Sequence, residues 1–222
     1  MWGLDFSTID WNEMLNGTYD TLKMMAYSLL FTFIIGLPLG VILFMTARSN
    51  SILNKWIYRV LSVIVNILRS VPFIILIIVL LPFTKLLVGT SMGVLGTIPP
   101  LVIGAAPFFA RLVETSLREV DRGVIEAAQA MGASTSQVIR RVLLPESLPG
   151  LIAGLTITAV TLVSYSAMSG MVGGGGLGDL AIRYGYYRFE TEVAIIAIVL
   201  MLIVVQILQM IGDRLVVHFT RK

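Results

Sequence analysis

"EAAQAMGASTSQVIRRVLLP", Glu126–Pro145, decides how this chain is read. It is a charged, amphipathic segment set between uncharged apolar runs of membrane length. Asp121 is placed to cap a first short helix, in which Val124, Ile125, Ala128 and Met131 recur at helical spacing. Gly132 can supply the left-handed residue that closes it. Ser134 and Gln137, three apart, make a capping box, so a second helix is expected. Its apolar face would be Val138, Ile139, Val142 and Leu143, with Pro145 ending it. The segment, 121–145, thus reads as two short helices joined at an angle by a tight turn.

Outward from this segment the chain is mostly apolar. Of 222 residues 57% are hydrophobic and 13% charged, against about 45–50% and 25% in soluble domains. The spacing predicts an all-α integral membrane protein, since a span needs roughly 20 apolar residues. Five spans are expected at about 24–47, 57–83, 89–110, 148–172 and 193–211, within a membrane domain 21–222 preceded by a short extracytoplasmic segment 1–20. An odd number of spans puts the termini on opposite sides. With the N-terminus outside, the inner loops and tail hold Arg48, Lys55, Arg59, Arg111, Arg118, Arg122, Arg140, Arg141, Arg214, Arg221 and Lys222. The outer side holds Lys23, Lys85, Arg183 and Arg188, so the positive-inside rule selects this orientation. The opening segment is then cytoplasmic, and the C-terminus with it. The absence of cysteine excludes disulfides and thiol chemistry, and the single His218 forms no metal cluster alone.

Three readings of the segment compete. It could lie on lipid headgroups as an interfacial helix pair. It could be a nucleic-acid-binding helix-turn-helix, which its few basic residues and its tether between spans disfavour, so no nucleic acid is expected as partner. It could lay its apolar face into a groove on a cytoplasmic partner, with four aliphatic side chains supplying roughly 6–12 kcal/mol gross.

The spacing Glu126-Ala127-Ala128, three residues, Gly132, nine residues, Val142-x-Leu144-Pro145 resembles the EAA loop of bacterial ABC importer permeases, with Val142 where that pattern usually has Ile. "NILRSVPFIILI", "GAAPFFARLVETSLREV", "TLVSYSAMSGMVGGGGLGDL" and "IRYGYYRF" narrow the resemblance to permeases of methionine ABC importers, over nearly the whole chain after the first twenty or so residues. Five spans are few to enclose a solute-sized pathway, which implies a homodimer with the pathway on its two-fold axis. The resemblance implies a type I ABC importer permease fold in the bacterial inner membrane. It implies that Glu126, Ala127, Ala128, Gly132, Val138, Ile139, Val142, Leu144 and Pro145 couple to an ATPase subunit, present in two copies. A substrate-binding lipoprotein would deliver D- or L-methionine for translocation by alternating access; another small amino acid or related solute is the alternative. No cofactor is expected on this chain, which lacks a Walker lysine motif; ATP and Mg would sit on the ATPase.

Within the spans, Tyr165 and Met168 lie three apart among the small and polar neighbours of the fourth span, Ser164 included. They line either a substrate pathway or gate, or a helix contact. Arg69 reads as pathway lining or as a snorkelling side chain, and Pro72 as a bend. "GLPLG", Gly36–Gly40, would bend or pack closely. "GGGGLG", Gly173–Gly178, lacks the strand of a dinucleotide site and reads as irregular backbone at a pathway mouth or as a flexible loop. Arg111, Glu114 and Arg118 read as a solvated helix extension. The span interiors carry no constellation suited to an intramembrane enzyme and no charged ring suited to a channel filter.

Overall fold

A computed structural model describes residues 9–49 and 51–220. Residues 1–8 of the expected N-terminal segment, and Arg221 and Lys222, lie outside the described residues. The chain forms α1 (Trp11–Arg48), α2 (Ile52–Ser70), α3 (Phe73–Val88), α4 (Gly93–Arg118), α5 (Arg122–Ala130), α6 (Thr135–Val138), a π-turn (Ile139–Leu143) and α7 (Leu144–Glu146). Then come α8 (Leu148–Ser169) with a 3-10 turn (Gly170–Val172), α9 (Gly176–Leu180), a second π-turn (Ala181–Tyr187) and α10 (Thr191–Phe219). Helices α1, α4, α8 with its 3-10 turn, and α10 are long and apolar enough to cross a membrane. Helices α2 and α3 meet the same criterion only when taken together as one bent pair.

Helix α1 starts well before the expected first span. The Asp10 carboxylate accepts hydrogen bonds from the backbone N–H groups of Asn12 and Glu13, and the helix runs unbroken for 38 residues, about 57 Å. Pro38 rides inside it between Gly36 and Gly40, which bring α1 against α4. A Cβ on Gly40 would lie 2.5 Å from the Val113 Cβ and 2.6 Å from the Ala110 carbonyl oxygen. "GLPLG" is therefore a close-packing site. Gly150 and Gly154 do the same for α8, against Ser116 and Leu112 of α4. Helix α4 is the central element, packed by α1, α2, α3 and α8.

The expected second span is two helices turned by 107°. Pro72 disfavours the helical region for the residue before it. Val71 (ψ 126°) and Pro72 (ψ 132°) are both extended, so the break is a corner rather than a bend.

The glycine run is a packed knot. Gly173, Gly175 and Gly176 take φ of 73–78°. The backbone at Gly170 and Gly178 passes so close that a Cβ on Gly170 would lie 2.5 Å from Asp179 N. The Gly93 N–H donates to the Gly173 carbonyl (2.9 Å), and the Leu177 N–H donates to Thr21 Oγ1 (2.9 Å). The run thus ties α1, α4 and α8 at one end of the bundle, and the 121–145 segment lies at the other.

Candidate functional site

The two short helices form as their caps require. Asp121 accepts from the Gly123 N–H (2.6 Å). Gly132 is left-handed, with φ of 81°. The Ser134 N–H donates to Gln137 Oε1 (2.8 Å), and the Gln137 N–H donates back to Ser134 Oγ (3.4 Å), a complete capping box.

Two sequence expectations change. Pro145 does not end the second helix. The π-turn before it widens the helix, and α7 carries Pro145 in its first turn. The wider bonding of the π-turn, with the Leu144 N–H donating to the Ile139 carbonyl, accommodates the proline ring and its missing N–H. Ser147 closes the turn, its N–H (3.0 Å) and Oγ (2.7 Å) both donating to the Leu143 carbonyl. The segment therefore runs on through Ser147 into α8.

The second change concerns the apolar faces. Ile125, Ala128, Val138 and Leu143 are buried in a cluster with Phe44 of α1, Phe109, Val113 and Leu117 of α4, and Leu151 of α8, with Ile139, Val142 and Leu144 packed against it. The hydrophobic energy assigned above to a partner groove instead holds the segment onto its own spans. What faces outward is Val124, Glu126, Ala127, Met131 and the Gly132 turn, with Met131 83% exposed. An open cleft of about 750 Å³ separates this segment from the end of α1, with Glu126, Gln129, Thr135 and Arg48 on its walls.

Beside the segment sits a polar cluster. Glu114 is 1% exposed and paired with both Arg111 and Arg118 of its own helix, so the expected solvated extension is instead a buried carboxylate between two cations. Arg111 donates to Ser62 Oγ and Asn66 Oδ1, both at 2.9 Å, and Arg118 to the Tyr58 hydroxyl at 3.2 Å. The cluster fastens α2 to α4. Neither Tyr58 nor Ser62 stood out in the sequence; their spacing with Asn66 on one face of α2 is the signal that would have found them.

Of the span residues singled out above, Ser164 and Met168 lie on one exposed stripe of α8 and its 3-10 turn with Ile157 and Met171. Tyr165 turns aside and stacks on Phe73 of α3, centroids 4.3 Å apart and planes 3° from parallel. Arg69 is exposed, its guanidinium 5.7 Å from the Phe108 ring centroid, and Pro72 sits at the α2–α3 corner. Beside the stripe a cleft of about 540 Å³ is walled by Thr156 and Thr161 of α8 and by Gln209 and Asp213 of α10, which the sequence reading passed over.

At the opposite end the start of α1 is bound to the turn after α9. Glu13 accepts from Tyr184 Oη (2.7 Å) and Arg183 Nη2 (3.2 Å), and the bond to Glu13 raises the Tyr184 phenol above its ordinary pKa. Among the described residues there is no cluster of His, Asp and Glu fit to hold a metal.

Residues 36–222 match the family described as binding-protein-dependent transport system inner membrane component. The chain is 52% identical over 203 residues to the probable D-methionine transport system permease protein MetI of Vibrio cholerae, covering 91% of this chain and 90% of that one. It is 53% identical over 208 residues to the methionine import system permease protein MetP of Bacillus subtilis, covering 94% of each. The fold superposes on a chain of the inward-facing MetNI methionine ABC transporter, native crystal form, with a TM-score of 0.92 and 48% identity over 96% of this chain and all of that one.

Proposed function

The chain belongs to the family of binding-protein-dependent transport system inner membrane components, and from that membership we propose that it is the membrane-spanning subunit of an ATP-driven methionine importer. It is a multi-pass protein of the inner membrane and a transport subunit, not an enzyme. ATP and Mg bind to a separate ATPase; this chain carries no Walker lysine motif. The working unit is a homodimer with two ATPase subunits, fed by a substrate-binding lipoprotein and importing D- and L-methionine. The N-terminus lies outside and the C-terminus in the cytoplasm, with the 121–145 segment facing the ATPase.

One observation carries the coupling part of this reading: the shared cluster of Ile125, Ala128, Val138 and Leu143 with the ends of α1, α4 and α8. A close-packed cluster transmits displacement instead of absorbing it. A partner seated on the exposed tip at Ala127, Met131 and Gly132 moves both short helices, and they carry the ends of three spans with them. Glu126, on the wall of the open cleft, supplies a charge for a partner cation. Leu144 and Pro145 pass the motion through α7 into α8. Closure of the ATPases on ATP then switches the spans from inward- to outward-facing. The solute passes Ser164 and Met168, and Tyr165 stacked on Phe73 links that stripe to the corner at Pro72 and to Arg69.

The test is reconstitution of the permease with its ATPase and binding protein in liposomes. ATP-dependent entry of radiolabelled methionine is expected, with unlabelled methionine competing and other small amino acids failing to compete. Entry without ATP, or preference for another amino acid, would overturn the assignment.

A further inference from the structure

We propose that the cleft where α1, α4 and α5 meet binds the phosphate of an anionic phospholipid of the cytoplasmic leaflet, through Arg48, Arg118 and Arg122. The cleft has a volume of about 520 Å³, and among the described residues it is lined by these three arginines with Phe44 and Ala47. Each arginine stands at a helix terminus: Arg48 ends α1, Arg118 ends α4 and Arg122 begins α5. Two of them are held in place. The Arg48 guanidinium sits 5.2 Å from the centroid of the Phe44 ring. Arg118 donates to Glu114 and to the Tyr58 hydroxyl, both through Nη2, so Nη1 and Nε stay available to an anion. Of the neighbouring acids, Glu126 stands with Arg48 on the wall of the adjoining larger cleft, and the others are engaged elsewhere. Glu114 is shared between Arg111 and Arg118. Glu119, Asp121 and Glu146 line a separate cleft on the other side of α4. Arginine offers several donors in a fixed fork, which suits phosphate oxygens.

Apolar continuity selects a lipid over a free phosphate. The adjoining groove shares Ala47 and continues past Lys55, Tyr58 and Arg59 to Val63. Above it the outward face of α2 exposes Trp56, Val60, Val63 and Ile67, a surface suited to acyl chains. An acidic face of the ATPase is the competing occupant. It is disfavoured because Arg48 and Arg118 lie at the ends of spans and none of the three arginines lies on the exposed tip at Met131 and Gly132. The choice of leaflet rests on the orientation proposed above, but lipid retention is read independently of transport.

The experiment uses the purified permease–ATPase complex and native mass spectrometry to count retained lipids, with dioleoyl phosphatidylglycerol and dioleoyl phosphatidylcholine as probes. Arg118 is left intact because Glu114 depends on it. The wild-type complex should retain phosphatidylglycerol over phosphatidylcholine, and Arg48→Gln with Arg122→Gln should lower that retention roughly thirty-fold, two cations' worth. Arg140→Gln with Arg141→Gln, which removes two exposed cations outside the cleft, should leave it unchanged. Equal retention in the two double variants would overturn the site, as would displacement of phosphatidylglycerol by millimolar inorganic phosphate. Loss of ATPase co-purification in Arg48→Gln/Arg122→Gln with unaltered lipid retention would reassign the cleft to a subunit contact.

Discussion

Gly132 separates backbone strain from packing. Its φ of 81° requires the left-handed region, yet a Cβ there would meet nothing within 4 Å. Gly132→Val should therefore cost about 1–2 kcal/mol through the backbone alone, misdirecting α6 while the spans stay folded. The expected outcome is normal membrane yield with reduced ATPase co-purification and uptake, and Gly132→Asn, which tolerates this conformation, should restore much of both. Glu114 behaves differently because it is buried between cations. Glu114→Ala would leave Arg111 and Arg118 without their anion, and breaking a buried pair costs about 3–5 kcal/mol. Arg118 is 53% exposed and Arg111 20%, so water screens much of this, and the loss should fall below that range. Thermal unfolding in detergent measures it. Spacing identified Gly132 and the Ser134–Gln137 box because caps are local chemistry. It misjudged Glu114 because burial there depends on α2, whose polar row Tyr58, Ser62 and Asn66 has meaning only once that helix is set beside α4.

The contrast between Gly40 and Met168 belongs to the scale of elements. Gly40→Leu puts a branched side chain where α1 and α4 backbones nearly touch, and overpacking of this kind costs typically 1–3 kcal/mol or more. A clear drop in melting temperature is expected. Met168 is 42% exposed on the α8 stripe, so Met168→Ala should cost well under the roughly 2–5 kcal/mol of a core truncation. Uptake in proteoliposomes should change more than stability; a large stability loss with unaltered uptake per folded complex would remove Met168 from the pathway. The membrane-length helices were legible, since apolar runs of this length leave few alternatives, but the division of the second span into α2 and α3 and the short α9 were not. Two features of the 121–145 segment were also misread. Pro145 reads as a stop, but a π-turn carries the helix past it. The apolar faces of α5 and α6 were visible as faces, whereas sequence could not say whether a partner or the chain itself would cover them.

For the whole molecule the orientation is open to direct measurement, because the chain contains no cysteine. Ser136 is exposed beside the 121–145 turn, and Met92 is exposed next to the glycine knot at the other end. In intact cells with a permeabilised outer barrier, a Met92→Cys variant should react with an impermeant thiol reagent and a Ser136→Cys variant should be shielded. The reverse pattern would invert the topology and remove the ATPase from the tip. The contact between Gly40 and Val113 also bears on how the chain is made. About seventy residues separate the two halves of that contact, and a ribosome adds roughly 5–20 residues per second. For about 4–14 s, then, the glycine groove of α1 lacks the α4 surface that fills it in the folded protein, and the pairing of first and third spans completes only after the third has been synthesised.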